Sequence, residues 1–407
     1  MRRKRSVRDL DLRGRRVFVR VDFNVPLAGG AVADDTRLRA ALPTLRHILE
    51  AGGLPILASH LGRPKGKPDP GLTLRPVADR LATLLGVPVE LAPDCVGPET
   101  AARARALQPG RVLLLENLRF HPQEEKCETD FARQLAALAE AYVNDAFGSA
   151  HRAHASVTGV PRLLAGGAAG FLVETELEAL TRLRERPEKP YVAILGGAKV
   201  SDKIDLILNL ITKVDALLIG GAMAYTFLKS RGVPVGASRV EDDRIEHACQ
   251  ITTRAMDSGV RLHLPVDHVV APSPEPGAPS QLTGGKEIEA GLIGFDIGLR
   301  SREGYAAEIA PSRTVFWNGP MGMFEVSPYD AGTLAVARAI AAAPRFSVVG
   351  GGDSVAAVNR LRIASAFTHL STGGGASLEF LSGVDLPGIA ALADAVEGDG
   401  EAPGRSR

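Results

Sequence analysis

The chain has 407 residues, and its 48 Lys and Arg against 47 Asp and Glu leave a formal net charge of only +1. The length exceeds what one hydrophobic core usually serves, while 45% hydrophobic residues suffice for a globular fold. The charge balance speaks against bulk nucleic-acid binding and a polybasic membrane anchor, and no apolar run is long enough for a membrane span.

The chain opens on Met1-Arg2-Arg3-Lys4-Arg5 and then meets Asp9 and Asp11 instead of an apolar stretch. That pattern is not a secretory signal, and a solvated segment is expected there. From Arg16 onward one unit recurs: a short, continuously apolar run, a turn, then a helical pattern. Arg16–Val21 runs into Asp22-Phe23-Asn24, and Leu54–Ala58 into Ser59-His60-Leu61-Gly62-Arg63. Residues 111–115 precede Glu116-Asn117-Leu118-Arg119, and residues 141–143 precede Asn144-Asp145-Ala146-Phe147-Gly148. Continuous apolar runs suit strands buried on both faces of a parallel sheet. Residues 174–188 are charged and helix-prone and end among Pro187 and Pro190, which predicts a linking helix.

Beyond it the turn chemistry changes. Tyr191–Leu195 runs into Gly196-Gly197-Ala198-Lys199, and Ala216–Ile219 into Gly220-Gly221-Ala222-Met223. Residues 346–349 run into Gly350-Gly351-Gly352-Asp353, and residues 369–371 into Gly373-Gly374-Gly375. Gly and Pro together make up about 17% of the chain, against about 12% ordinarily, with no Gly-X-Y period, so tight turns account for the excess. Residues 272–279 read as a Pro-rich surface loop, and residues 397–407 as a frayed tail. The predicted fold class is α/β: two doubly wound, Rossmann-like parallel-sheet domains joined by a hinge helix.

Ligands of open α/β sheets sit at the carboxyl ends of the strands, where all these turns lie. In the first half Arg37, His60, Arg63, Arg119 and Arg152 gather there. Arginine forks bind carboxylate and phosphate, so five basic groups in a near-neutral chain point to a small, multiply anionic substrate. Asp22 and Asn24 suit a substrate hydroxyl. In the second half, glycines let a backbone approach phosphate at a helix N-terminus. Residues 201–214 read as an amphipathic helix with Lys199 and Lys203 at its entry. Gly350-Gly351-Gly352-Asp353-Ser354 offers amides beside a carboxylate, a combination that implies Mg²⁺ with phosphate. One Gly-rich turn can be purely structural; several at matching strand ends favour phosphate binding.

His151-Arg152-Ala153-His154 lacks the spacing and further ligands of a zinc pair. Cys95, Cys127 and Cys249 are dispersed and odd in number, which supports neither a disulfide framework nor a cysteine zinc site. There is no P-loop motif and no G-x-G-x-x-G fingerprint. Phosphoryl transfer between a small anion and a nucleotide is the simplest joint use. A dehydrogenase is the competing enzyme class, and an inactive anion-binding module the non-enzyme reading.

Seven long motifs, in order, resemble the phosphoglycerate kinase family. They are 20–26, 59–64, 116–120, 144–154, 196–203, 317–320 and 350–354, within a likeness that spans about Val7 to Ala395. The resemblance implies reversible, Mg²⁺-dependent transfer of the acyl phosphate of 1,3-bisphosphoglycerate to ADP, giving 3-phosphoglycerate and ATP, by direct in-line transfer with hinge closure. It implies a 3-phosphoglycerate-binding domain at 1–171, a hinge helix at 172–188 and a nucleotide-binding domain at 189–371. Residues 372–407 would return toward the first domain. By the same likeness Asp22 and Asn24 hold the substrate hydroxyl end, and His60, Arg63, Arg119 and Arg152 the phosphate that stays. Arg37 would contact the carboxyl end and the phosphoryl group in flight. Lys199 would follow that group, Lys203 and Asn318 would serve the nucleotide, and Asp353 would hold Mg²⁺. Gly350, Gly351, Gly352 and Ser354 would bind phosphate oxygens, with Gly351 and Gly352 at the reacting group. Glu325 would bind ribose, and Gly220, Gly221 and Gly294 would form the adenine pocket. A cytoplasmic monomer without nucleic-acid or membrane partners is implied. The same fold without activity, binding anion and nucleotide only, is the alternative. Ala222 stands where some members carry a third Gly, and Leu299 where Pro is usual.

Overall fold

The computed structural model describes residues 2–275 and 278–395. The chain divides into two compact units: one runs to Leu177 and takes in the segment from Asp385, and the other is Glu178–Val384. The expected frayed tail lies outside the described residues, as do residues 276 and 277 of the expected Pro-rich loop.

The first unit is built on β1 (Arg16–Val21), β2 (Leu54–Ala58), β3 (Val89–Leu91), β4 (Val112–Leu114), β5 (Ala141–Asp145) and β6 (Ala168–Ala169), in the spatial order β3-β4-β2-β1-β5-β6. All neighbours are parallel. Apart from its first residue β1 is wholly buried, because helices cover both faces of the sheet. Its side chains alternate in duty. Val17, Val19 and Val21 join a core with Leu38, Leu45 and Leu81. Phe18 faces the other way and stacks on Tyr142 with ring centroids 5.9 Å apart; Arg20, two residues on, shares that second face. The helix Thr36–Glu50 buries Leu38, Ala41, Leu42, Leu45 and Ile48, the stripe that a 3.6-residue repeat produces.

The second unit repeats the plan with β7 (Tyr191–Leu195), β8 (Ala216–Ile219), β9 (Arg261–His263), β10 (Thr314–Asn318), β11 (Phe346–Gly350) and β12 (His369–Leu370), ordered β9-β8-β7-β10-β11-β12 and parallel throughout. Its core gathers Val192, Ile194, Leu218, Val315 and Trp317 against Tyr305, Ile309, Val336 and Ile340. A small antiparallel sheet of Gln281–Leu282, His268–Ala271 and Ile293–Ile297 is added. In both units the chain crosses from one side of the first strand to the other, β1/β5 and β7/β10, which opens the crevice where such sheets bind ligands. The doubly wound parallel-sheet class is the one the sequence predicts.

Two local expectations change. The basic N-terminus is pinned: Arg5 N–H donates to Ala393 O at 2.8 Å, Ala169 N–H to Arg5 O at 2.8 Å, and Lys4 Nζ to Asp394 at 2.7 Å. Backbone pairing sets its place, while Arg2 and Arg3 alone stay exposed. The helix expected over 201–214 is a 3-10 turn Ser201–Lys203 followed by Ile204–Ile211. Among the described residues no helix is long and apolar enough to cross a membrane.

The helix Phe171–Glu185 begins beneath β5. Asp145 Oδ1 accepts the Leu172 N–H at 3.0 Å, so a carboxylate at the strand end meets the positive end of the helix. Burial nonetheless pushes the Asp145 pKa up to about 7. The folded state therefore keeps a proton that the unfolded chain loses near pH 4, and this contribution to stability is lost as pH rises from about 4 to 7. Asp145→Asn keeps an acceptor and abolishes the titration. Denaturant unfolding from pH 4 to 7 should show wild type losing about 1 kcal/mol or more relative to the variant; parallel pH profiles would refute this.

Candidate functional site

In the first unit, the turns after β1, β2, β4 and β5 bring basic groups together. His60 is buried directly beyond β2. Burial holds its pKa well below the ordinary histidine value, and the charges of Arg20, Arg119, Arg152 and Arg37 push it in the same direction. Four guanidiniums thus converge on a neutral ring. Arg20 Nη2 lies 3.2 Å from His60 Nδ1. A guanidinium can only donate, so Nδ1 accepts and the ring hydrogen sits on Nε2, free to meet an anion. Arg119 rides on the 3-10 turn Leu118–Phe120, whose geometry is fixed by Asn117 Oδ1 accepting the Arg119 N–H at 3.1 Å. Its Nη1 donates to Gly62 O at 2.9 Å, and Glu125 lies 3.1 Å from Nε. Arg152 donates through Nε to His151 Nε2 at 3.2 Å. His154 points elsewhere, with Nδ1 3.9 Å from Glu124 Oε1, and burial pushes its pKa down to about 3.

A second group lies beside this one. Arg37, in the first turn of Thr36–Glu50, places Nη1 2.9 Å from Asp22 Oδ2. Asn24 Oδ1 accepts the Gly62 N–H at 2.9 Å, which ties the turn after β1 to the turn after β2. Arg63 is exposed and makes no hydrogen bond among the described residues.

In the second unit the strand ends are joined by close backbone approach. A Cβ on Gly196 would lie 2.0 Å from Pro320 O, one on Gly319 2.4 Å from Gly196 O, and one on Gly221 2.5 Å from Gly197 N and O. Gly221 also sits at φ +67, where side chains are strained. Glycine is thus required wherever the turns after β7, β8 and β10 touch. Lys203 locks the same point. Its buried ammonium donates to Gly196 O at 2.7 Å, Asn318 O at 2.9 Å and Asn318 Oδ1 at 2.6 Å, which uses all three hydrogens. Burial lowers its pKa to about 8. Lys199, four residues earlier, is exposed and donates no hydrogen bond among the described residues.

Gly351 (φ +89) turns the chain out of β11 into the helix Gly352–Arg360. Open space lies beyond Gly352, while Gly350 and Gly351 flank Asn318 Nδ2. Ser354 Oγ accepts the Gly319 N–H at 2.7 Å, leaving the hydroxyl hydrogen to donate. Asp353 is exposed in the first helical turn and forms no hydrogen bond among the described residues. One unspent carboxylate beside helix N–H groups is a donor set that fits Mg²⁺ carried on phosphate oxygens. Gly294 sits on Ile293–Ile297, where a Cβ would strike the Tyr225 hydroxyl at 2.1 Å; Tyr225 belongs to the helix that follows Gly221. Glu325 is exposed in the loop after β10.

The sequence marks two groups whose members the structure links in part: Asp22 with Arg37 and Asn24 with Gly62 in the first unit, and Lys203 with Asn318 in the second. It does not single out Arg20, Ser156 or Glu124, which lie behind His60. A signal for Arg20 exists: it is a charge inside a strand that is otherwise continuously buried. Asp94, Cys95 and His121 place their ligand atoms within 4.8 Å of one another. The carboxylate and ring are 2.7 Å apart and bonded to each other, and the thiol is fully buried.

Gly221→Ala should jam three backbone contacts. We expect a loss of about 2 kcal/mol or more and weaker nucleotide binding, read by thermal melts and ADP titration. Gly232→Ala, at φ +73 in open space, pays only the backbone cost of about 1 kcal/mol. Equal effects of the two would discount the packing argument.

A sequence model described as phosphoglycerate kinase matches residues 7–384. The phosphoglycerate kinase of Anaeromyxobacter sp. (strain K) is 57% identical over 390 residues, covering 95% of this chain and 98% of that protein. That of Moorella thermoacetica is 55% identical over 391 residues, covering 96% and 99%. The solved phosphoglycerate kinase of Coxiella burnetii superposes with a TM-score of 0.86 at 39% identity, covering 96% of this chain and 98% of that one. The Pyrococcus horikoshii OT3 enzyme gives 0.83 at 33% identity, with the same coverage. With the family model, the curated relatives and the solved structures all agreeing over nearly the whole chain, the chain belongs to the phosphoglycerate kinase family.

Proposed function

We propose that the protein transfers a phosphoryl group reversibly between 1,3-bisphosphoglycerate and ADP, a phosphotransferase acting on a carboxyl acceptor. The observation that carries this is the pairing of chemistries: a cluster of arginines around neutral His60 in one unit, and a glycine-built helix N-terminus beside Asp353 in the other. The first suits the non-transferred phosphate and carboxyl end of phosphoglycerate. Asp22 and Asn24 orient its hydroxyl end, Arg37 stands by the carboxyl, and His60, Arg63, Arg119 and Arg152 take the phosphate. The second suits the nucleotide, with amides at 350–352, Ser354, Gly220, Gly221, Gly294, Asn318 and Glu325 around it.

The acceptor carboxylate is already ionised at neutral pH, so no general base is required. Catalysis is positioning plus neutralisation of phosphoryl oxygens. Lys199, with no hydrogen bond among the described residues, is a cation free to follow the moving group. Lys203 serves the nucleotide by holding the turns at Gly196 and Asn318 in place. Asp353 would hold Mg²⁺, which supplies charge neutralisation on the phosphate oxygens when bound. Hinge closure through Phe171–Glu185 belongs to the same proposal, since in-line transfer must exclude water. So does action as a cytoplasmic monomer; the exposed large apolar side chains, such as Leu163, Met256 and Leu299, come from separate elements.

A coupled assay with 3-phosphoglycerate and MgATP should show turnover, and absence of turnover would sink the reading. Lys199→Ala should lower kcat by about 10²–10³-fold while changing nucleotide affinity far less, because its contact forms with the group in flight. Equal losses in both would remove that role.

A further inference from the structure

Behind the anion-binding arginines lies a fully buried carboxylate that phosphoryl transfer does not call for. Glu124 belongs to the short helix Pro122–Glu125, just beyond the turn that carries Arg119, and is 1% exposed. Both of its oxygens are engaged by one residue: Oε2 accepts the Ser156 N–H at 2.9 Å and Oε1 accepts the Ser156 hydroxyl at 2.5 Å. The Ser156 hydroxyl in turn accepts Arg20 Nε at 2.9 Å. Arg20 continues the chain to His60 Nδ1 at 3.2 Å, with further bonds to Val21 O and to Ser149 Oγ. Tyr142 donates to Ser156 O at 2.9 Å and so fixes the backbone of the same residue.

The direction of every bond is fixed. A guanidinium has no acceptor, so Arg20 donates at both ends. Ser156 Oγ accepts from Arg20 and must give its own hydrogen to Glu124. His60 Nδ1 must accept. The ring hydrogen is thereby forced onto Nε2, the donor that an anion would use. We propose that Glu124 is a positioning residue for the substrate-anion site: through Ser156 it holds Arg20 in the one place from which that guanidinium must donate to His60 Nδ1, so that loosening Arg20 frees the orientation and tautomer of His60, and it supplies a buried counter-charge to the surrounding arginines. The proposal rests on the phosphoglycerate reading of that site.

The electrostatics fit. Burial pushes the Glu124 pKa up, and Arg20, the two Ser156 hydrogen bonds and Arg119 work against that by favouring the ionised form. Glu124 in turn favours the charged form of Arg119. His154, 3.9 Å away, is neutral and adds no competing charge. Isolated buried charges are costly, whereas a carboxylate with two donors and guanidiniums nearby is compensated.

The test uses Glu124→Gln and Ser156→Ala in the full-length protein. A glutamine amide must either orphan the Ser156 hydroxyl hydrogen or set its NH₂ against the Ser156 N–H. Removing the serine hydroxyl cuts the relay directly. Each variant should raise KM for 3-phosphoglycerate roughly tenfold or more, with kcat and the MgATP KM within about twofold. The double variant should be no worse than the worse single one, because both break one chain. ¹⁵N NMR of the imidazoles gives a readout independent of activity: wild-type His60 should be the Nε2–H tautomer, and both variants should show a mixture. Unchanged KM with an unchanged tautomer, in either variant that folds by circular dichroism, overturns the proposal. So does a loss that falls equally on both substrates. If wild type fails to turn over 3-phosphoglycerate, the functional reading falls, while the tautomer comparison still decides the relay.

Discussion

Like charges held close in a protein repel, and the first unit must hold several. At an effective dielectric of 20, two unit charges about 6 Å apart repel by about 3 kcal/mol. Arg20, Arg37, Arg119 and Arg152 all act on one imidazole. Everything around them reads as a way of living with that repulsion before an anion arrives. Arg37 leans on Asp22, Arg119 spends a hydrogen bond on Gly62 O and faces Glu125, and His60 and His154 stay neutral. The most buried member, Arg20, is satisfied on every side by Ser156, Val21, His60 and Ser149. An anion placed among these guanidiniums would turn mutual repulsion into attraction.

In the proposed function the second unit meets the same task with different means. Its donors are backbone N–H groups, whose directions are set by the chain and cost no rotamer entropy to hold. The constraint there is steric. Three strand-end turns must come within contact of one another's backbone, which only glycine allows. Lys203 is spent on bracing, its three hydrogens on the oxygens of Gly196 and Asn318. Its charge is therefore structural as well as electrostatic, and its lowered pKa is the mark of that burial.

How much of this is legible in sequence follows from where the causes lie. Strands buried on both faces announce themselves as apolar runs, so the two sheets and the carboxyl-end turns can be read directly. Residues displayed on those turns, such as Arg119 and Gly351, are legible for the same reason. Three things are not. Lys203 stands in a motif beside Lys199, yet one ammonium is exposed and the other buried, because only the fold brings Asn318 to it from 115 positions away. The relay joins Arg20, Ser156 and Glu124 across 136 and 32 positions, and no local pattern encodes it. The basic N-terminus looks solvated, but its backbone pairs with residues near Ala393, a long-range contact independent of its side-chain charge.

The same strand-order logic in both units thus supports opposite strategies for one kind of ligand group. Side-chain cations give long reach and high charge density, but each must be buttressed. Backbone amides give lower charge but arrive already fixed. Phosphoryl transfer asks for both. In the proposed function, the end of the substrate that stays put benefits from a strong, preorganised cationic grip, to which an oriented His60 contributes alongside the arginines. In the same proposal the nucleotide end, where charge shifts during reaction, benefits from rigid dipoles plus one unattached cation. Among the described groups of the second unit's site, Lys199 is the ammonium left uncommitted while Lys203 is tied down. That division of labour between two lysines four residues apart follows from burial and from nothing else in their chemistry.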